Sequence, residues 1–372
     1  MNSKIVLFSA AAAAVFSAAD ALAEWNFDYQ GEAKALYGHS DVSAKHKQQN
    51  KNNRAPTDFW LGLSAENNLS SDNILSFFAD FEGGTDQYLK DYNQGSWGER
   101  IYAKMQTNYG DFSIGQMKNI AYEQAVSAPD FGPFGVNNSD VADFISNPNW
   151  LNRKKTKSFR TLNSTYINTD GDAPKVSYVS PEFYNSRIGV SYVPYTYNRS
   201  SLVNKHAEYH NKGAIVVSVE NSVEFDTFDL KSSAAYANFF ENTQEYSAGI
   251  SFYRKGFTLG ASYLHTEQTG KSAFPKKFDV PDFFDAYRNA DAAAVGVGYE
   301  IGPFSTALTY FYSKAKDRPF KDEIIQFSNQ YQWDKHISIY AAAAHVNFEG
   351  RKDVVTDSNK GYTFVLGTQI NF

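Results

Sequence analysis

Three stretches of the form Gly-x-Ser-aromatic carry the most obvious chemistry: Gly189-Val190-Ser191-Tyr192, Gly249-Ile250-Ser251-Phe252 and Gly260-Ala261-Ser262-Tyr263. A hydrolase elbow needs a further glycine two places after the serine, on a strand–turn–helix. None of the three has it, and each sits inside an alternating run with small residues on one face and aromatics on the other. They therefore read as strand wall. His206 and His210 are four apart, a metal-ligand spacing on a helix, but no glutamate follows His206 directly and the region reads as loop. Asp170-Gly171-Asp172 could hold calcium; a solvated turn is the preferred reading. The chain has no cysteine, which removes thiolate metal sites and disulfides. No metal site and no cofactor are expected.

What remains is composition. The 372 residues are 42% apolar and 16% aromatic, with 25 Tyr and 30 Phe, yet the mean hydropathy is −0.48. Beyond the first twenty residues no apolar run approaches the roughly 18 needed for a membrane-spanning helix. A net charge of −6 argues against nucleic-acid binding. Residues 1–23 read as a secretory signal peptide. Lys4 gives the positive end, 5–19 the apolar stretch, and Ala21-Leu22-Ala23 the cleavage site, leaving Glu24 first in the mature chain. No cysteine follows to take a lipid anchor.

The mature chain alternates with period two almost throughout. Trp25, Phe27, Tyr29, Ala33, Ala35 and Tyr37 alternate with Asn26, Asp28, Gln30, Glu32 and Lys34. The same pattern predicts strands at 25–37, 58–66, 74–82, 99–107, 112–118, 174–181, 186–194 and 213–220. It continues at 228–238, 245–254, 257–265, 291–300, 304–313, 322–332, 336–347 and 361–372, sixteen in all. Short links such as Asn108-Tyr109-Gly110-Asp111 and Arg254-Lys255-Gly256 alternate with mostly long ones, of which 119–173 is the longest. An even number of antiparallel strands with tight turns at one end and long loops at the other is the layout of an outer-membrane barrel. No composition shift marks a domain boundary, so 24–372 reads as one all-β transmembrane barrel. Its low hydropathy averages an apolar outside and a polar inside.

These residues resemble a trimeric general porin of the Gram-negative outer membrane, over nearly the whole mature chain. The resemblance is carried by Trp60-Leu61-Gly62-Leu63-Ser64 through Glu82, Tyr102 through Gly115, Pro129-Asp130-Phe131-Gly132, and Gln369-Ile370-Asn371-Phe372. Most specific are the stretch Lys175-Val176-Ser177-Tyr178-Val179-Ser180-Pro181-Glu182-Phe183, running on to Ser191-Tyr192, and the final Phe372. The resemblance implies a sixteen-stranded, water-filled homotrimeric channel whose third extracellular loop folds into the lumen. It also implies that Phe372 belongs to the signal read by the barrel-assembly machinery.

A link as long as 119–173 is usually functional or disordered. A sixteen-strand barrel leaves an aqueous bore, so such a link packed inside would set the aperture. Its first half holds Glu123, Asp130, Asp140 and Asp143; its second holds Arg153, Lys154, Lys155, Lys157 and Arg160. Opposed charges across a narrow gap sort solutes by charge and dipole. The facing wall is expected from the N-terminal strands. There the chain departs from the family's basic cluster, with Glu32 and then Lys34 after Gly31, Trp60 before Leu61-Gly62, and Gln116 after Ile114-Gly115. Arg100, Lys104 and Lys118 compensate in part, while Asp28, Glu32, Glu66, Asp80 and Glu82 tilt the wall toward weak cation preference. The basic stretch from Lys45 to Lys51 and Arg54 reads as a solvated loop, with contact to lipopolysaccharide phosphates as an alternative. The expected function is passive diffusion of small hydrophilic solutes and ions. A solute-specific channel would need an aromatic slide or basic ladder, for which inward Trp60 and Phe78 are too few. A barrel enzyme would need a histidine with a nucleophile or carboxylate at the rim, and no convincing set is present. A soluble secreted β-protein is the last alternative.

Overall fold

Alternation along each strand and pairing between strands build the whole wall. The computed structural model describes residues 25–43, 52–84, 98–132, 134–137, 140–150, 152–153, 156–157, 161–197, 210–239, 243–268, 289–316, 318–354 and 358–372. The first strands are β1 (Trp25–Val42), β2 (Thr57–Ser70), β3 (Asn73–Gly84), β4 (Gly98–Thr107), β5 (Gly110–Gln116) and β6 (Pro174–Val179). Then come β7 (Ser186–Tyr197), β8 (His210–Glu224), β9 (Asp229–Phe239), β10 (Thr243–Arg254) and β11 (Phe257–Gln268). The last are β12 (Ala290–Ile301), β13 (Phe304–Ala315), β14 (Lys321–Gln332), β15 (Ile337–Glu349) and β16 (Asn359–Asn371). Each pairs antiparallel with the next, and β16 returns to β1, so the sheet closes with sixteen barrel strands. All sixteen predicted strands are present. The largest differences are at ends: β1 runs on to Val42, β2 to Ser70 and β8 to Glu224.

Closure is set by register. Glu32 faces Asn371 and Val42 faces Gly361, with every residue between paired in step. The seam is finished by two further bonds, Gly31 N to Phe372 O at 2.7 Å and Phe372 N to Gly31 O at 3.0 Å. A Cβ on Gly31 would lie 2.3 Å from the Phe372 ring, so glycine leaves the aromatic its seat. The ring also stacks on Phe59 at 6.4 Å between centroids.

Tight turns occupy the end that holds both strand termini. At Lys255-Gly256 the two positive φ values, 49° and 83°, match a hairpin turn whose twist suits the flanking strands. Tyr184-Asn185 makes the same kind of turn without glycine, at 48° and 58°. Near this end aromatics ring the outside: Trp25 with Phe77 at 5.6 Å, Phe228 with Phe252 at 4.9 Å, and Phe304 with Tyr331 at 4.8 Å. Toward the long-link end Tyr236 meets Tyr246 at 5.1 Å, and Tyr362 meets His345 at 4.6 Å. Between them the outer face exposes Ile250, Leu259, Val295, Leu308, Ile325 and Phe327. Apolar wall between two aromatic girdles is the pattern of a barrel in hydrocarbon. Among the described residues no helix is long and apolar enough to cross a membrane.

The seam yields a prediction. Gly31→Val should weaken closure by about 1–3 kcal/mol, as overpacking does. Combined with Phe372→Ala it should add little to the loss from Phe372→Ala alone, because the clash partner is gone. Urea titration of heat-modifiable gel migration reads both.

Candidate functional site: the lumen and its inserted link

The buried apolar core of this barrel lies inside it. Val136, Val141, Phe144, Ile145 and Ile167, all from the link between β5 and β6, cluster with Val193, Val216, Phe311, Val346, Phe348 and Val365 of the strands. The link opens with a single helical turn, α1 (Ile120–Glu123), capped by Asn119, whose side chain accepts from Tyr122 N. It then follows the inner wall. Ile120 N donates to Ser191 Oγ on β7 at 3.0 Å, and Val126 N to Ser233 Oγ on β9 at 2.9 Å. Thr309 Oγ1 on β13 donates to Pro129 O at 2.6 Å, and Gln326 Nε2 on β14 to Phe134 O at 2.9 Å. Ser40 on β1 reaches Phe144 O at 3.1 Å, and Asn359 on β16 reaches Ser146 O at 2.8 Å.

Small inward residues make this course possible. A Cβ on Gly189 would lie 2.2 Å from Ile120, one on Gly249 1.8 Å from Val126 O, and one on Gly260 2.6 Å from Ser127 O. The Gly-x-Ser-aromatic stretches are thus wall, as their alternation suggests, and also the seat on which the link lies. Their repetition was legible in the sequence; the backbone that needs it was not.

Carboxylates fasten the link. Asp322 on β14 is buried and accepts from Asn149 at 2.8 Å, Asn147 at 3.0 Å and Thr161 at 2.5 Å. Its role had no signal beyond an ordinary strand position. Asp130 accepts from Gly132 N and Val136 N, each at 3.0 Å, and from Gln326 Nε2 at 3.1 Å. Burial pushes the Asp130 carboxyl above its usual range, against the pull of those donors. The solvated-turn reading of Asp170-Gly171-Asp172 is corrected here. Asp170 is buried against buried Lys175 at 2.9 Å, and Asp172 pairs with Lys118 at 3.0 Å. Lys175 also donates to Met117 O and Gly171 O. The two lysines close the base of the link, and the turn carries their counter-charges. Among the described residues no group of acids and histidines is arranged to hold a metal ion.

These contacts run along the inner faces of β7 to β16 and β1, and leave the inner side of β1 to β5 facing the bore. Glu32 and Lys34 lie there on β1, paired at 3.0 Å, and Lys34 also feels Asp58 and Asp140. Trp60 on β2 sits by Gly62, whose Cβ would lie 2.9 Å from the indole. Arg100 on β4 pairs with Asp80 at 2.8 Å, and Lys104 with Asp111 at 2.9 Å. Glu123 ends α1, is exposed, and acts on Tyr102 of the facing wall. Asp140 accepts from Gly135 N at 3.3 Å, while Asp143 O takes a bond from Arg54 at 2.5 Å, which draws that arginine into the lumen side. Gln116 stands opposite Ile101 in the ladder, on the parity of outward Phe112 and Ile114. Arg153 lies in a two-residue pairing with Thr156. Arg160, Lys154, Lys155, the stretch 45–51 and His206 lie outside the described residues.

A closed sixteen-strand barrel, greasy outside and charged inside, with a link lying across its lumen, defines a channel of porin type. The chain belongs to the Gram-negative porin family, whose sequence profile matches residues 9–351. It is therefore an outer-membrane protein. Among solved structures it resembles OmpF of Salmonella typhi, described in complex with daunomycin. The TM-score is 0.62 at 12% identity, covering 93% of this chain and 97% of that one. It also resembles OmpT of Vibrio cholerae in its trimer form, at TM-score 0.58 and 13% identity over 94% and 99% of the two chains. A mutant porin of Rh. blastica matches at TM-score 0.54 and 8% identity, over 93% and 100%. No curated protein matches the sequence.

Two predictions concern the link. Gly249→Val should leave the barrel folded but lift the link from β10, changing single-channel conductance. Asp322→Ala should strand three buried donors at a cost of about 1–3 kcal/mol each at most, and raise open-channel noise. Planar-bilayer recording reads both, with gel migration as the folding control.

Proposed function

We propose that the chain is a diffusion porin for small hydrophilic solutes and ions, with weak cation preference. The observation that carries the selectivity is charge pairing on the open wall. Lys34, Arg100 and Lys104 each have a carboxylate within 3.0 Å. Asp28, Asp58, Glu66 and Glu82 share inward parity with them, so acids outnumber bases there. A base held against its own carboxylate offers a passing anion little net field, whereas an exposed acid such as Glu123 attracts cations. The link between β5 and β6 sets the aperture by lying across the bore.

Strand lengths favour a homotrimer. β5 and β6 have seven and six residues, fewer than the roughly 9–11 that a spanning strand needs. Wall that short is better covered by a neighbouring protomer than by lipid, and the V. cholerae relative is described as a trimer. Residues 1–23 act as a cleaved signal peptide, and the seam position of Phe372 suits a residue read by the barrel-assembly machinery. Lipopolysaccharide surrounds the outer rim. No catalytic role and no nucleic-acid partner are proposed.

Planar-bilayer recording in a salt gradient tests this reading. Wild type should conduct in wide steps with a small cation-directed reversal potential, and Glu123→Gln with Asp140→Asn should move that potential toward zero. Purified, folded protein that never conducts would overturn the diffusion role; an anion-directed potential would overturn the selectivity.

A further inference from the structure

Inward positions of a water-filled barrel call for polar side chains, yet the open wall across from the link carries three rings. Ser40 reaches the link from β1, so Glu32 shares its inward face, and the register carries that face to Trp60 on β2 and Glu82 on β3. Phe78 lies on the same face of β3, and Tyr102 stands opposite it on β4. Phe78 and Tyr102 stack with their centroids 4.7 Å apart and their planes 17° from parallel. Trp60, nearer the long-link end, leans toward Gly62, the residue level with Asp80. Two inward rings are too few for a solute path, and Tyr102 supplies the third.

Ion pairs alternate with these rings along the bore. Asp80 and Arg100, 2.8 Å apart, lie between Trp60 and the stacked pair; Lys104 and Asp111, 2.9 Å apart, lie beyond it toward the tight-turn end. Arg100, Tyr102 and Lys104 are successive inward residues of β4, so each step is about 7 Å along the strand. The neighbours level with the stack are small, Ser64 beside Phe78 and Gly115 beside Tyr102. Both rings are half-buried, so part of each is left to the bore. Across it, Glu123 of α1 is close enough to act on Tyr102, which puts the stack at a level the link narrows. The link's own ring there, Tyr122, is engaged by Lys118 and Tyr166.

We propose that this track of rings and ion pairs binds a neutral oligosaccharide in transit. A pyranose has an apolar face of C–H groups and a rim of hydroxyls that both donate and accept. The face suits an aromatic ring. The hydroxyls suit carboxylate acceptors and guanidinium or ammonium donors. The pairs Asp80–Arg100 and Lys104–Asp111 stay partly accessible and offer both kinds of group. An organic cation on the stack would meet Arg100 and Lys104 one step to either side, and an anion would meet Asp80, Asp111 and Glu123. A neutral polyol meets no net repulsion and bonds to both members of each pair. The proposal rests on the reading of the lumen as a water-filled bore, and adds a preference that charge alone does not give.

Planar-bilayer recording with maltohexaose tests it. Wild type should show brief current blocks whose blocked fraction saturates with sugar, and whose duration is the same at low and high salt, since the ligand is uncharged. Phe78→Leu with Tyr102→Leu keeps apolar bulk and removes the rings. Block duration should fall about tenfold in that variant and about threefold in Trp60→Leu, at the usual worth of aromatic contacts. Polyethylene glycol of like size and tetraethylammonium should give no resolved blocks. Absence of sugar blocks, unchanged duration in either folded variant, or blocks by either control as long as the sugar's would each overturn the proposal. Gel migration reports folding of the variants. Calorimetric titration of the detergent-solubilised protein with maltohexaose reads binding without conduction. A conducting channel that ignores the sugar thus leaves the diffusion reading standing, and a non-conducting protein that binds it leaves this one.

Discussion

Hydrocarbon accepts no unpaired amide, and the rest of this structure follows from that constraint. A strand can cross a bilayer only if both neighbours take its N–H and C=O groups, so the sheet must close. Here closure depends on the last residues of the chain meeting the first strand in one register. Gly31 and Phe372 exchange two backbone bonds at that seam, and the absence of a side chain at Gly31 lets the terminal ring lie flat over it. A one-residue slip would turn Glu32 and Lys34 toward lipid and Tyr29 and Tyr37 toward water. Register and charge placement are thus one constraint.

Closing the barrel creates a second problem, an interior too wide for side chains to fill. The chain solves it with its own backbone. The link after β5 brings Val136, Val141, Phe144, Ile145 and Ile167 to the wall, and the wall meets it with glycine, serine and threonine. Backbone groups of an irregular segment need partners, and Ser191, Ser233 and Thr309 supply them at spacings no helix or sheet would. An apolar core pinned by a polar seam makes a fixed partition, and the bore is what the partition leaves open.

How far the sequence foretold this depends on which distances matter. Period-two alternation is local, so all sixteen strands were legible and errors fell at ends such as Val42 and His210, where loops extend the ladder. The path of the link was not legible, because it depends on which strands lie across the bore. Gly189, Gly249 and Gly260 marked it, but each looked like ordinary wall when read alone. Asp322 gave no warning, since its donors Asn147, Asn149 and Thr161 lie more than a hundred and fifty residues away. The acidic turn at Asp170 and Asp172 misled for the same reason. Its lysine partners are Lys175, close by, and Lys118 on the far side of the whole link. The strand parity of Arg100 and Lys104 was legible, but their pairing with Asp80 and Asp111 needed the neighbouring strands.

Charge in this barrel is sorted by what surrounds it. Against the bore, Lys34, Arg100 and Lys104 are held by carboxylates, which water and passing ions can still reach. Deep under the link, Lys175 and Asp170 neutralise each other where no water could, and their pairing there is structural. At the outer rim the lipid face breaks the rule that strands outside a barrel avoid charge, and it does so in rows set by register, not at scattered positions. There Lys314 stands between Asp291 on one strand and Lys321 on the other, and Lys321 is itself held by Glu323 and Glu349. The same side-chain chemistry therefore serves three surroundings: paired and wet in the channel, paired and dry beneath the link, and arrayed in facing rows at the outer rim.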